Sequence, residues 1–280
     1  MSAILLALAA SLSWGVADFG AGVGSRRLPV PLVIVGSQAA GLVFVGLVVA
    51  IVRPELPAAA QLGYGAIAGA IGVFGLLAFY RGLAIGAMGI VGPLSATGAV
   101  VPLAYGLARG ERPSTVQLLG VALAVVGVIA AALETRDMRK EGSRIGAGVG
   151  FALLSALGFG WSLVFLSKAA AGGALWAPLS MRAVGVPLML VTVLVLRPPT
   201  GGLRAAWLLL AGVGICDTGA NLLFSLAASR GLLSVVSVLA SLYPVVLVAL
   251  ARVFLHERIA RHQLAGVAIA LSGVALISAG

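Results

Sequence analysis

A chain of 280 residues that is 61% hydrophobic and only 9% charged cannot cover a water-soluble surface, because soluble domains carry about 25% charged residues. Its net charge of +10 comes from basic residues standing singly or in small clusters, with no long basic run interleaved with aromatics, which excludes a nucleic-acid partner. Strand-like alternation is absent and apolar runs of about 20 residues recur, so a β-barrel is excluded and an all-α integral membrane protein is expected.

The first span is read at 3–22; it begins without a basic n-region or a cleavage site and is taken as a permanent helix. It carries Ser11, Trp14-Gly15 and Asp18. Ser25-Arg-Arg-Leu-Pro29 precedes the second span at 31–52, and Arg53-Pro-Glu-Leu-Pro57 precedes the third at 62–83, which ends on Tyr80-Arg81. The fourth, 88–107, holds Pro93, Ser95, Thr97 and Pro102, and the fifth is placed at 115–133. After a polar stretch, Glu134 to Arg144, spans follow at 146–167 with Trp161, at 176–196 with Arg182 and Pro187, and at 205–228 with Cys216, Asp217, Thr218 and Asn221. The last two, 232–253 and 263–279, contain Ser241, Tyr243 and Pro244 in the first of them. The single cysteine, Cys216, excludes an intrachain disulfide and a cysteine metal cluster.

The chain repeats itself. Glu111-Arg112 and Gln117-Leu-Leu-Gly120-Val-Ala return as Glu257-Arg258 and Gln263-Leu-Ala-Gly266-Val-Ala, and from Glu111 to Val128 10 of 18 positions are identical at a shift of 146. The same shift carries Ser95 onto Ser241 and Gly127 onto Gly273. The expected organisation is a first five-helix repeat at 1–134, a polar linker at 135–144 and a second five-helix repeat at 145–280. An odd number of spans per copy forces the second to lie inverted, and two inverted halves can rock about a site between them. The pattern therefore points to a carrier.

The motifs that carry the repeat resemble a known family. Trp14-Gly15, Gly110-Glu111-Arg112 before Gln117-Leu-Leu-Gly120, Leu242-Tyr-Pro244, and His256-Glu257-Arg258 before Gln263-Leu-Ala-Gly266 are similar to the EamA family of the drug/metabolite transporter superfamily. The resemblance covers the whole chain and implies ten helices in two EamA units, with export of metabolites or drugs, commonly amino acids or related amphipathic compounds. The first copy departs from the pattern at Gly98, which stands where the second has Pro244. Twelve of the 18 basic residues fall at odd-numbered connectors and adjoining helix ends, which places those connectors in the cytoplasm and both termini outside.

Ionisable groups inside spans cost roughly 2.5–3.5 kcal/mol each at the centre and need a partner or a wet cavity. Asp217, with Thr218 beside it and Asn221 one turn on, is either a cavity wall for a polar substrate or proton, or half of a buried ion pair with Arg182. Asp18, one turn after Trp14 with Ser11 on the same side, either carries a proton in a coupled cycle or caps its helix end near Arg26 and Arg27. Arg81 either snorkels to the headgroups or binds an anion. Trp14, Trp161 and Tyr243 lie within spans and either face a cavity, suiting a flat or amphipathic substrate, or pack against neighbours. Pro93, Pro102, Pro187 and Pro244 free backbone carbonyls; Ser95 and Thr97 near one break and Ser241 and Tyr243 near another suggest a cavity lined by the fourth and ninth spans. Small-residue pairs at Gly20/Gly24, Gly65/Gly69, Gly82/Gly86 and Gly146/Gly150 are packing signals. The Glu111-Arg112 and Glu257-Arg258 pairs read as interfacial caps and ion pairs within each repeat, with a role in gating the alternative.

The candidate substrate-binding residues are thus Trp14, Asp18, Tyr80, Ser95, Thr97, Trp161, Arg182, Asp217, Asn221 and Tyr243, with Asp18 and Asp217 the proton-coupling candidates. Spans 1, 3, 4, 6, 8 and 9 would surround a midplane site that is opened to each side in turn. No paired carboxylates occur within a span, and His256 and His262 have no Cys or Asp cluster beside them, so neither cofactor, metal nor enzyme is expected. A membrane enzyme, a channel and a scaffold are the alternatives to a carrier. The expected partners are a small-molecule substrate, protons and the lipid bilayer, and the expected location is the cytoplasmic membrane.

Overall fold

In hydrocarbon every backbone amide must be bonded within the chain, and unbroken runs of Ala, Leu, Val and Gly achieve this as helices. A computed structural model describes residues 2–85, 95, 97–132, 142–254 and 261–279. Pro93, most of the polar linker, His256, Glu257 and Arg258 lie outside the described residues, as do the side chains of Tyr80, Pro244 and Gln263. The first half contains α1 (Ala3–Ser25), α2 (Val30–Val52), α3 (Ala59–Ile85), a 3-10 turn (Thr97–Ala99), α4 (Val100–Ala108) and α5 (Thr115–Ala132). The second contains α6 (Gly142–Ala170), α7 (Trp176–Leu196), α8 (Trp207–Ala228), α9 (Leu233–Ala240), α10 (Tyr243–Phe254) and α11 (Arg261–Ala279). Segments of α1, α2, α3, α6, α7 and α8 are long and apolar enough to cross a membrane.

The helices lie where the apolar runs place them, with two differences. α6 begins at Gly142, so the last three residues expected in the linker are helical. The ninth span is two helices, parted at Ser241–Leu242. The described part of the fourth span holds the 3-10 turn at Thr97–Ala99, whose counterparts at the shift of 146 are residues 243–245 at the start of α10. Pro187, expected to interrupt its span, is carried inside α7, and Pro102 sits in the first turn of α4, where its missing N–H costs nothing.

Local chemistry fixes the start of α5. Ser114 Oγ accepts the Gln117 amide at 3.1 Å and the Gln117 side chain accepts the Ser114 amide at 3.0 Å. This reciprocal capping box satisfies two amides that the helix itself leaves open. α2 and α7 end alike: Arg53 and Arg197 adopt left-handed φ of 49° and 45°, their amides bond Val49 and Val193 carbonyls at 2.8 Å each, and a proline follows each. Those pairs are 144 apart, so the repeat register in the second spans is 144 rather than 146.

Two compact units form, and each draws on both halves of the sequence. One comprises Met1–Val73 and Phe165–Arg230, the other Phe74–Val164 and Gly231–Gly280. In the first, α8 packs against α1 and α2, and α2 also meets α7. Bare glycine backbone makes these crossings possible: a Cβ on Gly41 would lie 2.9 Å from the Gly214 carbonyl oxygen, and one on Gly20 would lie 2.7 Å from Val213 Cγ2. Gly65 and Gly69 meet Ser180 and Met181 of α7 in the same way.

In the second unit α5 crosses α11, α9 packs on α4, and α10 meets α5. A Cβ on Gly120 would lie 2.7 Å from the Gly273 carbonyl oxygen, and one on Gly127 2.7 Å from that of Gly266. The shift of 146 maps Gly120 onto Gly266 and Gly127 onto Gly273, so the two contacts exchange under the repeat. Equivalent helices thus meet antiparallel, which is the inversion the odd span count demands. Gly150, expected to pack, has nothing within 4 Å of a built Cβ, and Gly86 lies outside the described residues. Gly120→Val should cost about 1–3 kcal/mol by overpacking and lower the melting temperature in detergent, whereas Gly150→Ala should leave it unchanged; equal melting of both variants would dismiss the crossing as a stability determinant.

Candidate functional site

Mid-span in α8 the apolar sequence gives way to Asp217-Thr218, and three helices of the first unit converge on them. Asp217 Oδ2 accepts from Arg182 Nη2 of α7 at 2.6 Å and from Gln38 Nε2 of α2 at 3.2 Å. Arg182 Nε donates to Thr218 Oγ1 at 3.2 Å, and Arg182 Nη1 donates to Gln38 Oε1. The Arg182 side chain is 5% exposed and that of Asp217 24%, so the arginine is the deeper partner and the carboxylate keeps an open side. The guanidinium presents a rigid fork of donors, and here the fork spans α2 and α8 at once. Thr218 sits directly on Gly41. The α2–α8 crossing thus sets the position of the hydroxyl that Arg182 bonds.

The cluster is one-sided with respect to the repeat. At the shift of 144, Gln38 is the counterpart of Arg182 and Gly41 that of Gly185; the two equivalent side chains hydrogen-bond each other. Gly69 of α3 packs on α7 as Gly214 of α8 packs on α2, a shift of 145 that carries Asp217 onto Gly72 and Thr218 onto Val73. The first copy has no carboxylate there. Asn221, expected on the cavity wall, turns its Nδ2 back to the Asp217 carbonyl at 2.8 Å and is buried.

Asp18 is placed differently. It shares a stripe of α1 with buried Ser11 and Gly15 and with Gly22, whose built Cβ would meet nothing within 4 Å. A flanking stripe about a third of a turn away, Leu5, Leu12 and Val16, is apolar and exposed, the character of a lipid-facing surface. Asp18 is an exposed residue, yet protein crowds around its carboxyl group, as at the bottom of a recess on the protein-facing side of its helix. It makes no hydrogen bond or ion pair among the described residues and lies within electrostatic reach of Asp217. The helix-end cap is not its role, since α1 closes on backbone bonds from Arg26 and Arg27 to Val23 and Gly24. Beside it, Ser13 Oγ donates to the Cys216 carbonyl at 2.7 Å, and Trp14 packs on Phe224 at 6.0 Å between centroids.

The second unit holds Ser95, Thr97, Trp161 and Tyr243. Ser95 is buried with its hydroxyl 3.5 Å from the Ala152 carbonyl. Thr97 stands in the 3-10 turn and Tyr243 opens α10, both half-buried. Trp161 is 41% exposed and edge-on to Tyr105 at 6.2 Å. The Tyr80 side chain lies outside the described residues. Among the described residues no group of three His, Cys, Asp or Glu gathers to hold a metal.

Gln38 is the site residue that sequence reasoning misses. Being uncharged, it carries no insertion penalty large enough to stand out, although a glutamine within a run such as Ile-Val-Gly-Ser-Gln-Ala-Ala-Gly is a polar group that needs a partner.

A model of the EamA-like transporter family matches residues 1–133 and again 146–279. No curated protein matches the sequence. One solved crystal structure, 17% identical, superposes with a TM-score of 0.80 over 99% of this chain and 97% of its own, a likeness of fold.

Proposed function

Because this chain belongs to the EamA-like transporter family of the drug/metabolite transporter superfamily, and is a multi-pass membrane protein and not an enzyme, we propose that it exports small amphipathic metabolites or drugs, amino acids among them, across the cytoplasmic membrane by alternating access. The observation that carries this reading is the pairing of a bonded Arg182–Asp217 cluster with an exposed, unbonded Asp18 in one unit. Asp18 suits an ammonium group, and the Arg182 guanidinium suits a carboxylate once its pairing with Asp217 opens during the cycle, so the two fit a zwitterion. Trp14, one turn from Asp18, adds an apolar surface for the rest of such a molecule. Asp18 is the proton-coupling group in this reading, because its protonation breaks no bond, whereas Asp217 is held by Arg182 and Gln38. Ser95, Thr97, Trp161 and Tyr243, in the second unit, are substrate-binding candidates on their place in the sequence pattern.

Uptake and counterflow in proteoliposomes against amino acids, nucleobases and cationic dyes, with and without a pH gradient, test the proposal. Saturable counterflow of a zwitterionic class, enhanced by the gradient, is the expected result. Flux that no concentration of substrate saturates would replace the carrier with a channel.

A further inference from the structure

The connector after α4 holds a half-buried carboxylate, far in sequence from its partners. α4 ends in a Schellman turn: the Gly110 amide bonds the Leu107 carbonyl and the Glu111 amide the Gly106 carbonyl, each at 3.0 Å, with Gly110 at φ 91°. Only glycine adopts that conformation freely. The turn folds Glu111 back over Gly106, where a Cβ would lie 2.8 Å from the carboxyl carbon. From there Oε1 accepts the Leu233 amide at 2.8 Å, while Oε2 accepts the Ser234 amide at 2.9 Å and the Ser234 hydroxyl at 2.6 Å. The contact joins the first sequence repeat to the second, and not groups within one repeat as the motif alone suggests.

Those amides open α9, every residue of which is buried. Water and headgroups do not reach them, and the first amides of a helix and the positive end of its dipole require an acceptor. At its other end α9 stops at Ser241–Leu242, where the span breaks before α10. A half-helix tied at one end and broken at the other has one place to turn. We propose that Glu111 is a positioning residue of the transport cycle: it fastens α9 to the end of α4, so that the two move as one body about the break at Ser241–Leu242.

The proposal rests on the carrier reading for its functional meaning, but its test needs no substrate. In a Cys216→Ala background, Ser241→Cys is labelled with a membrane-impermeant maleimide in right-side-out and in inverted membrane vesicles. The ratio of the two rates reports the side to which the break opens. Glu111→Gln should shift that ratio on the order of tenfold, the population change expected when a charge-assisted hydrogen bond favours one state. Ser234→Ala, which removes one of the three bonds, should shift it less and in the same direction. A cap that is structural only would lower the melting temperature and leave the ratio alone, and that outcome overturns the proposal. Should Glu111→Gln fail to run as a monodisperse protein, an unchanged ratio in Ser234→Ala overturns it equally. So does the absence of labelling from either side before mutation, since a break that opens must expose this position. Loss of the carrier reading is a separate result: no saturable flux, with the ratio still shifted.

Discussion

Replacing Arg182 by leucine will unfold the protein several kcal/mol more easily and abolish saturable counterflow. Removing one partner of a buried pair costs about 3–5 kcal/mol because the remaining charge is left without compensation. Asp217 keeps 24% of its side chain accessible, which places the expected loss near the lower end. The arginine also bonds Thr218 and Gln38, so its loss uncouples α2, α7 and α8 together. Melting in detergent and counterflow in proteoliposomes measure the two effects separately. The double variant Arg182→Leu/Asp217→Leu should recover most of the stability, since two apolar groups in place of a buried pair are often neutral. Its transport should stay lost. A double variant that transports normally would make the cluster a structural clamp with no part in binding.

Asp18→Asn should have the opposite profile. Asp18 makes no hydrogen bond or ion pair among the described residues, so an isosteric amide breaks no bond and should change stability by no more than about 0.5 kcal/mol. Acceleration of transport by a pH gradient should vanish, because the amide cannot take up a proton, while counterflow without a gradient should persist. Asp217→Asn should behave the other way, keeping the gradient effect and losing stability, since its oxygen serves Arg182 and Gln38. If pH-driven transport survives in Asp18→Asn at the wild-type rate, proton coupling through this residue is finished.

These two expectations separate carboxylates that the sequence presents as equals. Asp18 and Asp217 each stand alone in an apolar span beside an aromatic or polar neighbour. Which of them is bonded depends on the α2–α7–α8 crossing, where Gln38 and Arg182 meet. That crossing depends in turn on Gly41 and Gly214 approaching across two helices. Small residues four apart on a single helix, such as Gly65/Gly69 and Gly20/Gly24, do pack. Gly150 has that spacing and meets nothing among the described residues, whereas Gly41/Gly214 and Gly120/Gly273 join two elements and have no such spacing. Contacts of that kind carry no short-range spacing to read.

Composition and repetition alone determined that this chain is an all-α membrane protein of two inverted units; the family came from the resemblance of its motifs. A bilayer leaves helices as the only option for such runs, and an odd number of spans leaves inversion as the only way to repeat them. Span limits followed from punctuation by Pro, Gly and Arg, since backbone chemistry at helix ends is local. The tertiary structure decided the rest: that Glu111 reaches into the other repeat, that Asn221 turns back on its own helix, that the ninth span is two helices, and that Arg182 bonds its own repeat-equivalent Gln38. Each of these depends on distance between residues far apart in the chain, and in a span where nearly every side chain is apolar only packing selects the few polar groups that meet.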